Sequence, residues 1–357
     1  MFKKKVSLLL LNFFGFVLLL SECTSIDITS GIYNGLRNTS SIRAEPFWAR
    51  DPYTKYDRQT NVVAVGRANS REMAEKNALG NLVAIFGQNI QIDEKVSSSY
   101  REAVKKGITA NWSGNTAVDT AITTSAGMAS LIGVEILDRW DDGRNFYATA
   151  VMNKANALQT YSDIVISNLA MIEKLVNIPE EEKNTLNGFA RYQFAATIAD
   201  MTASYVNLLS FIGGTIPVFM KGDDYRLEAT NITKAIPVGL NVHNDKAGRI
   251  HGAFARALSD LGFSSGGSNP PYLLDVDITA TPVVIANSTY KFTRIELKAD
   301  LKNVKTGIVL LPYNFNNREG HSTQEEADNR AYAYAEQKIN EEYLTFLKSY
   351  LYALLPN

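Results

Sequence analysis

The chain has 357 residues, with 36 Lys and Arg against 37 Asp and Glu, for a formal net charge of −1. Hydrophobic residues make up 45% and charged residues 20% of the sequence, close to globular averages, which excludes wholesale disorder and a polytopic membrane protein and leaves room for two or three folded units. Balanced charge without a dense basic stripe argues against nucleic acid as a partner, and one Cys with three His cannot supply an internal disulfide or a Cys-rich metal site.

Lys3, Lys4 and Lys5 precede an apolar run from Val6 to Leu20, broken only by Ser7, Asn12 and Gly15. The run is short of the ~20 residues that a spanning helix needs and has the layout of a signal peptide. It ends in Leu20-Ser21-Glu22-Cys23, which resembles the lipobox of bacterial lipoproteins, with Glu22 where a small residue is usual. The resemblance implies that the Cys23 thiol takes a diacylglyceryl group, that the peptide is cut before it, and that acyl chains such as palmitate hold the protein on a membrane. Residues 1–22 are then the lipoprotein signal peptide, Cys23 the lipidation site and residues 23–44 a polar tether rich in Ser, Thr, Asn and Gly. Thr24 stands where inner-membrane lipoproteins of this type commonly carry Asp, so the resemblance points to the cell outer membrane, with periplasmic and surface faces both open.

From Pro46 the texture changes to Pro-Phe-Trp-Ala-Arg-Asp-Pro-Tyr, followed by a β-rich run Val62-Val63-Ala64-Val65 that ends at Gly66. Ser70 is placed to cap a helix through Phe86, with Met73, Leu79, Leu82, Val83 and Phe86 on one face and a Glu72–Lys76 pair on the other. Ile90, Ile92 and Val96 alternate as a strand. After a Ser/Thr/Ala/Gly-rich stretch, Val134, Ile136 and Trp140 open a hairpin that turns at Asp141-Asp142-Gly143-Arg144-Asn145 and returns from Phe146 to Met152.

Three patches in this order carry a family resemblance: Pro46-Phe47-Trp48; Ala64-Val65-Gly66-Arg67-Ala68 with Ser70 and the Ala74/Ala78 helix; and Asp138-Arg139-Trp140 with Tyr147-Ala148. Over about residues 45–155 the chain resembles the bacterial outer-membrane lipoproteins named after a twenty-kilodalton surface lipoprotein. That resemblance implies an α+β domain facing the surface or periplasm, a flagellar outer-membrane role in some relatives, and no catalytic residues.

Ala155 to Asn177 and Glu180 to Ile212 read as two helices separated by Pro179, the second with Leu186, Phe189, Phe194, Ile198, Met201, Tyr205 and Leu208 on one face. Arg191 and Asp200 make that segment too polar to span a bilayer. Beyond Gly213-Gly214 come a strand near Leu240 to Val242, a helix carrying Ile250, Phe254, Leu258 and Leu261 and stopped at Gly262, and alternating strands at Tyr272 to Ile278 and Ile295 to Leu301. A turn at Gly307, another strand through Leu311 and a long helix from Thr323 close the chain; Thr323 and Glu326 spell a capping box, and Ile339, Tyr343, Phe346, Leu347, Tyr350 and Leu354 form its stripe. Thr323 to Ala327 with Ala331 echoes Ser70 to Ala74 with Ala78. This second unit also faintly resembles the domain of lipoprotein activators of cell-wall synthases and of the curli secretion channel lipoprotein.

Candidate chemistry is sparse. Asp138, Asp142 and Gly143 fit part of a calcium loop, but Trp140 occupies a ligand position, so a hairpin turn is the better reading. Ser288-Thr289-Tyr290-Lys291 has the Ser-x-x-Lys spelling without its partner motifs. Asp275 and Asp277 share a strand face, as a carboxylate pair or as solvent-facing polar groups. His243 and His251 lack a third metal ligand, with His321 far away in sequence, and Trp48 and Trp140 read as core rather than as ligand platforms.

The expectation is an α+β protein of two small α/β sandwich-like domains, residues 45–154 and 213–357, joined by a helical hairpin at residues 155–212. Catalytic, cofactor and metal sites are expected to be none, and the chain is read as a non-catalytic envelope interaction or assembly module, bound to the membrane through Cys23 and to a protein partner or itself. A receptor for a small molecule or peptidoglycan fragment, or an activator of a cell-wall enzyme, stands as the alternative, with an unrecognised hydrolase third.

Overall fold

Val62, Ala64 and Gly66 alternate with Val63 and Val65, and this period-two pattern forms β1 (Asn61–Ala68) in a computed structural model that describes residues 44–86 and 131–356. Cys23, the tether and the strand expected at Ile90 to Val96 lie outside the described residues. Ser70 caps α1 (Arg71–Ile85) by accepting from the Met73 N–H at 3.3 Å. The hairpin of β2 (Val134–Asp141) and β3 (Phe146–Asn153) completes an antiparallel sheet in the order β1-β3-β2. The turn is as read from the sequence, with Gly143 at φ +81°.

The helix buries only part of the expected face. Leu82 and Phe86 are buried as read, but they are joined by Ala74 and Ala78 while Met73 and Leu79 are exposed. The cause is Gly66: a Cβ there would stand 2.1 Å from the Ala74 carbonyl oxygen and from the Ala78 nitrogen, so the helix backbone lies directly on the strand and only small side chains fit between. The surface pair is also shifted. Arg71 bonds Glu75 at 3.1 Å in place of the expected Glu72–Lys76 pair, and Glu75 also receives Arg139 from β2 at 2.6 Å. Val63 and Val151, paired across the strands, are buried on the opposite face, towards which the short turns Phe47–Ala49 and Pro52–Thr54 bring Trp48.

β3 runs straight into α2 (Lys154–Val176), capped by Asn153. Pro179 begins only the single turn Glu180–Lys183; the next helix, α3 (Leu186–Phe211), starts six residues later than expected because Thr185 caps it through the Gly188 N–H at 3.1 Å. The seven apolar residues assigned to one face of α3 are all buried, but so are Ala190, Ala195, Ala196, Ala199, Thr202, Val206 and Leu209. Tyr205 stacks on Tyr161 of α2 at 5.8 Å, and Asn168 of α2 donates to Thr202 at 3.1 Å. On other sides Phe189 meets Phe263, and Asn187 donates to the Leu354 carbonyl at 2.7 Å.

A helix absent from the sequence reading, α4 (Gly222–Ala235), follows. It buries Tyr225, Ala229 and Ile232, and its Arg226 takes Asp200 of α3 through two 2.9 Å bonds, satisfying one of the charges that break the apolar face of α3. Then come β4 (Val238–His243), α5 (Arg249–Ser259), β5 (Tyr272–Val283), β6 (Lys291–Asn303) and β7 (Val309–His321), in a sheet ordered β4-β5-β6-β7 with only β4 and β5 parallel. Leu274, Val276 and Ile278 of β5 and Ile295, Leu297 and Ala299 of β6 are buried on one face. The closing helix α6 (Gln324–Lys338) packs on the strands through Ala327, Ala331 and Ala335. A π turn at Ile339–Tyr343 leads into α7 (Leu344–Ala353). The extra residue in that turn resets the phase, so Ile339, Tyr343, Leu347 and Leu351 are buried while Phe346, expected in the stripe, is exposed. The architecture is α+β, with two sheets.

Candidate functional site

The polar face of the second sheet gathers most of the residues singled out for chemistry. Because strand side chains alternate, Asn241 and His243, Asp275 and Asp277, and Lys298, Asp300 and Lys302 all project from the face opposite the buried apolar set. Register places His243 beside Asp277 and Lys298 beside Asn314, with Asn241, Asp275, Asp300 and Pro312 in the next row.

Asp275 is the hub of this face. One carboxylate oxygen accepts from Lys302 at 2.7 Å, and the other lies 3.1 Å from His243 Nε2. The Lys302 ammonium, opposed by partial burial and helped by His243, holds the Asp275 carboxyl below its usual range. Lys298 approaches Asp300 at 3.3 Å. A carboxylate stabilised in its charged form is a weak base, so the arrangement suits electrostatic cross-linking of strands or recognition of a polar surface better than proton abstraction.

The pairs weighed from sequence are rearranged. Asp275 and Asp277 share the face, but the close contacts of Asp275 are to His243 and Lys302. The His243 ring lies against Asp275, whereas the His251 N–H donates to Asp245 at 2.9 Å at the start of α5. His321 lies at the end of β7, beside Ser322. Ser288 accepts from the Tyr290 N–H in the turn before β6, so Ser288 to Lys291 is a turn and strand start. Lys302 and Asp300 were missed: their alternation is visible in the sequence, but the register that sets them beside Asp275 is a property of two strands.

In the first sheet Asp138 accepts from Lys55 and Tyr56, both at 2.5 Å, and its own N–H bonds Thr149 at 2.9 Å. Asp142 accepts from the N–H groups of Arg144 and Asn145, which bring its pKa down to about 2. The two carboxylates that fitted a partial calcium loop are thus occupied separately, one by a cation and a phenol, the other by its own turn. Trp48 is buried, and Trp140 packs against Tyr147 at 4.9 Å. Among the described residues, no three His, Cys, Asp or Glu side chains are grouped to hold a metal ion, and no helix is long and apolar enough to cross a membrane.

Residues 46–153 match the family model described as LPP20 lipoprotein. The resemblance carried by Pro46 to Trp48, Ala64 to Ala68 and Asp138 to Trp140 therefore stands over this segment, which covers both strands of the hairpin, α1 and β1. No curated protein matches the chain. Among solved structures, a secreted protein from Helicobacter pylori is similar at 15% identity, covering 79% of this chain and 98% of its own, with a TM-score of 0.40. A minor lipoprotein from Acinetobacter baumannii is similar at 13% identity over 33% of this chain and 92% of its own, TM-score 0.24. A protein from Xanthomonas campestris is similar at 17% identity over 32% and 81%, TM-score 0.24.

Proposed function

We propose that the chain is a cell-envelope lipoprotein, anchored by lipid on Cys23 to the outer membrane, whose body serves as a non-catalytic interaction or assembly module. The observation that carries the reading is the match of residues 46–153 to a lipoprotein family, standing behind a signal-like segment that ends in the sole cysteine. Two or three acyl chains, at ~0.8 kcal/mol per buried methylene, anchor stably where one binds only reversibly. Residues 46–153 are the lipoprotein-family segment of this arrangement, and they share one buried core with the helices and second sheet that follow. The polar sheet face around Asp275 is the surface offered to a protein partner, because Lys298, Asp300 and Lys302 alternate in sign along β6 beside Asp275 and Asp277 of β5.

The test is the intact mass of the protein purified from membranes. A chain beginning at Cys23 and heavier by a diacylglyceryl group and an acyl chain is the expected result, with the Cys23→Ala variant accumulating as unprocessed precursor. A membrane-purified chain with an unmodified Cys23 thiol would sink the lipoprotein reading.

A further inference from the structure

Between α3 and α4 the chain runs Gly213-Gly214-Thr215-Ile216-Pro217-Val218-Phe219-Met220 without helix or strand pairing. Its side chains alternate. Phe219 packs against the core, whereas Ile216 is 53% and Met220 49% exposed, and Val218 between them is fully exposed. Three apolar side chains at alternate positions therefore point away from the body, on a segment joined at both ends to helices with buried faces. Behind it α3 is seated in the core, and ahead of it Lys221 starts α4, its N–H donating to Asp224 at 3.0 Å.

We propose that Ile216, Val218 and Met220 form a membrane-contacting tip that dips into the interfacial region of a zwitterionic lipid surface. The proposal rests on the reading of Cys23 as a lipid anchor and extends it to a second, non-covalent contact. Twenty residues, 24 to 43, separate the anchor from the body, and even fully extended, at ~3.3–3.6 Å each, they keep Ala44 within about 70 Å of the lipid. A body of this length has a radius of gyration of only ~20 Å, so any part of its surface can reach the bilayer whichever way the tether leaves. Tethering makes the encounter intramolecular, so a weak contact suffices. Interfacial apolar groups need to sink only ~5–10 Å to leave water, a depth that a tip of three side chains reaches. Charge selects the lipid. Along the chain Lys221 follows the tip and is itself followed by Asp223 and Asp224, and Arg226 is engaged by Asp200 and Asp223, so this stretch carries no excess positive charge to favour anionic headgroups.

The experiment uses the full chain, lipidated in its own membranes, with Val218→Cys as a reporter and Asn316→Cys, exposed on β7, as the control. If Cys23 carries lipid, its thiol is consumed and each variant takes one fluorophore per chain; two per chain overturn the anchor reading independently, and the quenching is then read in a Cys23→Ser background. The expected result is that lipids brominated on their acyl chains quench the label at position 218 severalfold more than at 316, that adding anionic lipid leaves the quenching unchanged, and that Ile216→Ser with Met220→Ser lowers it. A label at 218 open to aqueous iodide in membranes overturns the tip while leaving the anchor intact. A label shielded from both iodide and lipid overturns it in favour of cover by protein, whether residues 87–130 or a partner.

Discussion

Gly66 and Gly80 show how opposite the consequences of one substitution can be. At Gly66 a methyl group would meet the backbone of Ala74 and Ala78 at 2.1 Å, and backbone cannot rotate aside as a side chain could. Gly66→Ala should therefore cost ~3 kcal/mol or more, read as a fall in the chemical denaturation midpoint. Gly80, on the solvent side of the same helix, has open space around its missing Cβ, and Gly80→Ala should stabilise by ~0.5–1 kcal/mol through helix propensity. A neutral Gly66→Ala would mean that α1 does not rest on β1 as described. The sequence showed Gly66 only as the end of an apolar run and Ala74 and Ala78 as part of a family pattern. That these three make one contact depends on the distance between a helix and a strand, which neither periodicity contains, and so larger Met73 and Leu79 were assigned to the buried face in their place.

The hairpin of β2 and β3 was readable to within a residue, because turn chemistry is local: Gly143 takes the left-handed conformation and Asp142 accepts from the N–H groups of Arg144 and Asn145. This gives the turn an acid dependence. With its folded pKa lowered to about 2, Asp142 contributes stability that is complete above the unfolded value near ~4 and fades as pH falls through about 2. An NMR titration should place its midpoint near the lower value; a midpoint near 4 would mean that the turn N–H groups point elsewhere. Elements whose logic is not local were harder to read. β7 runs to His321, ten residues past the expected Leu311, through Pro312 and the polar Asn314, Asn316 and Asn317. Those residues have low strand propensity, but β6 supplies their pairing, and Tyr313 and Phe315 keep the inward alternation. α4 did have a sequence signal, Tyr225, Ala229, Ile232 and Ile236 at helical spacing, masked by the exposed apolar residues just before it. The partners of Asp275 were beyond reach for a plainer reason: strand register is set between strands.

Across the whole chain, α3 holds a place that composition alone did not assign. It was read as one arm of a connecting hairpin with one apolar face, yet Asn207, Ser210 and Phe211 are its only exposed residues, and the buried cluster runs through it without a break from Val62 to Leu355. Its neighbours include α2 and α4, Phe263 after α5, the Tyr272 hydroxyl at the start of β5, which accepts from the Leu186 N–H at 3.3 Å, and Tyr352 of α7. A helix with a solvent face can open locally, because little is lost when one turn frays into water. Helix α3 has almost no such face, so parting its hydrogen bonds requires parting its neighbours as well. In deuterated water the amides from Phe194 to Leu209 should therefore be the slowest to exchange, with a protection free energy equal to that for unfolding the entire body, and a core substitution on any of those neighbours should lower it by its full effect on global stability. Faster exchange there than in the strands of either sheet would show that the helix can leave the core on its own.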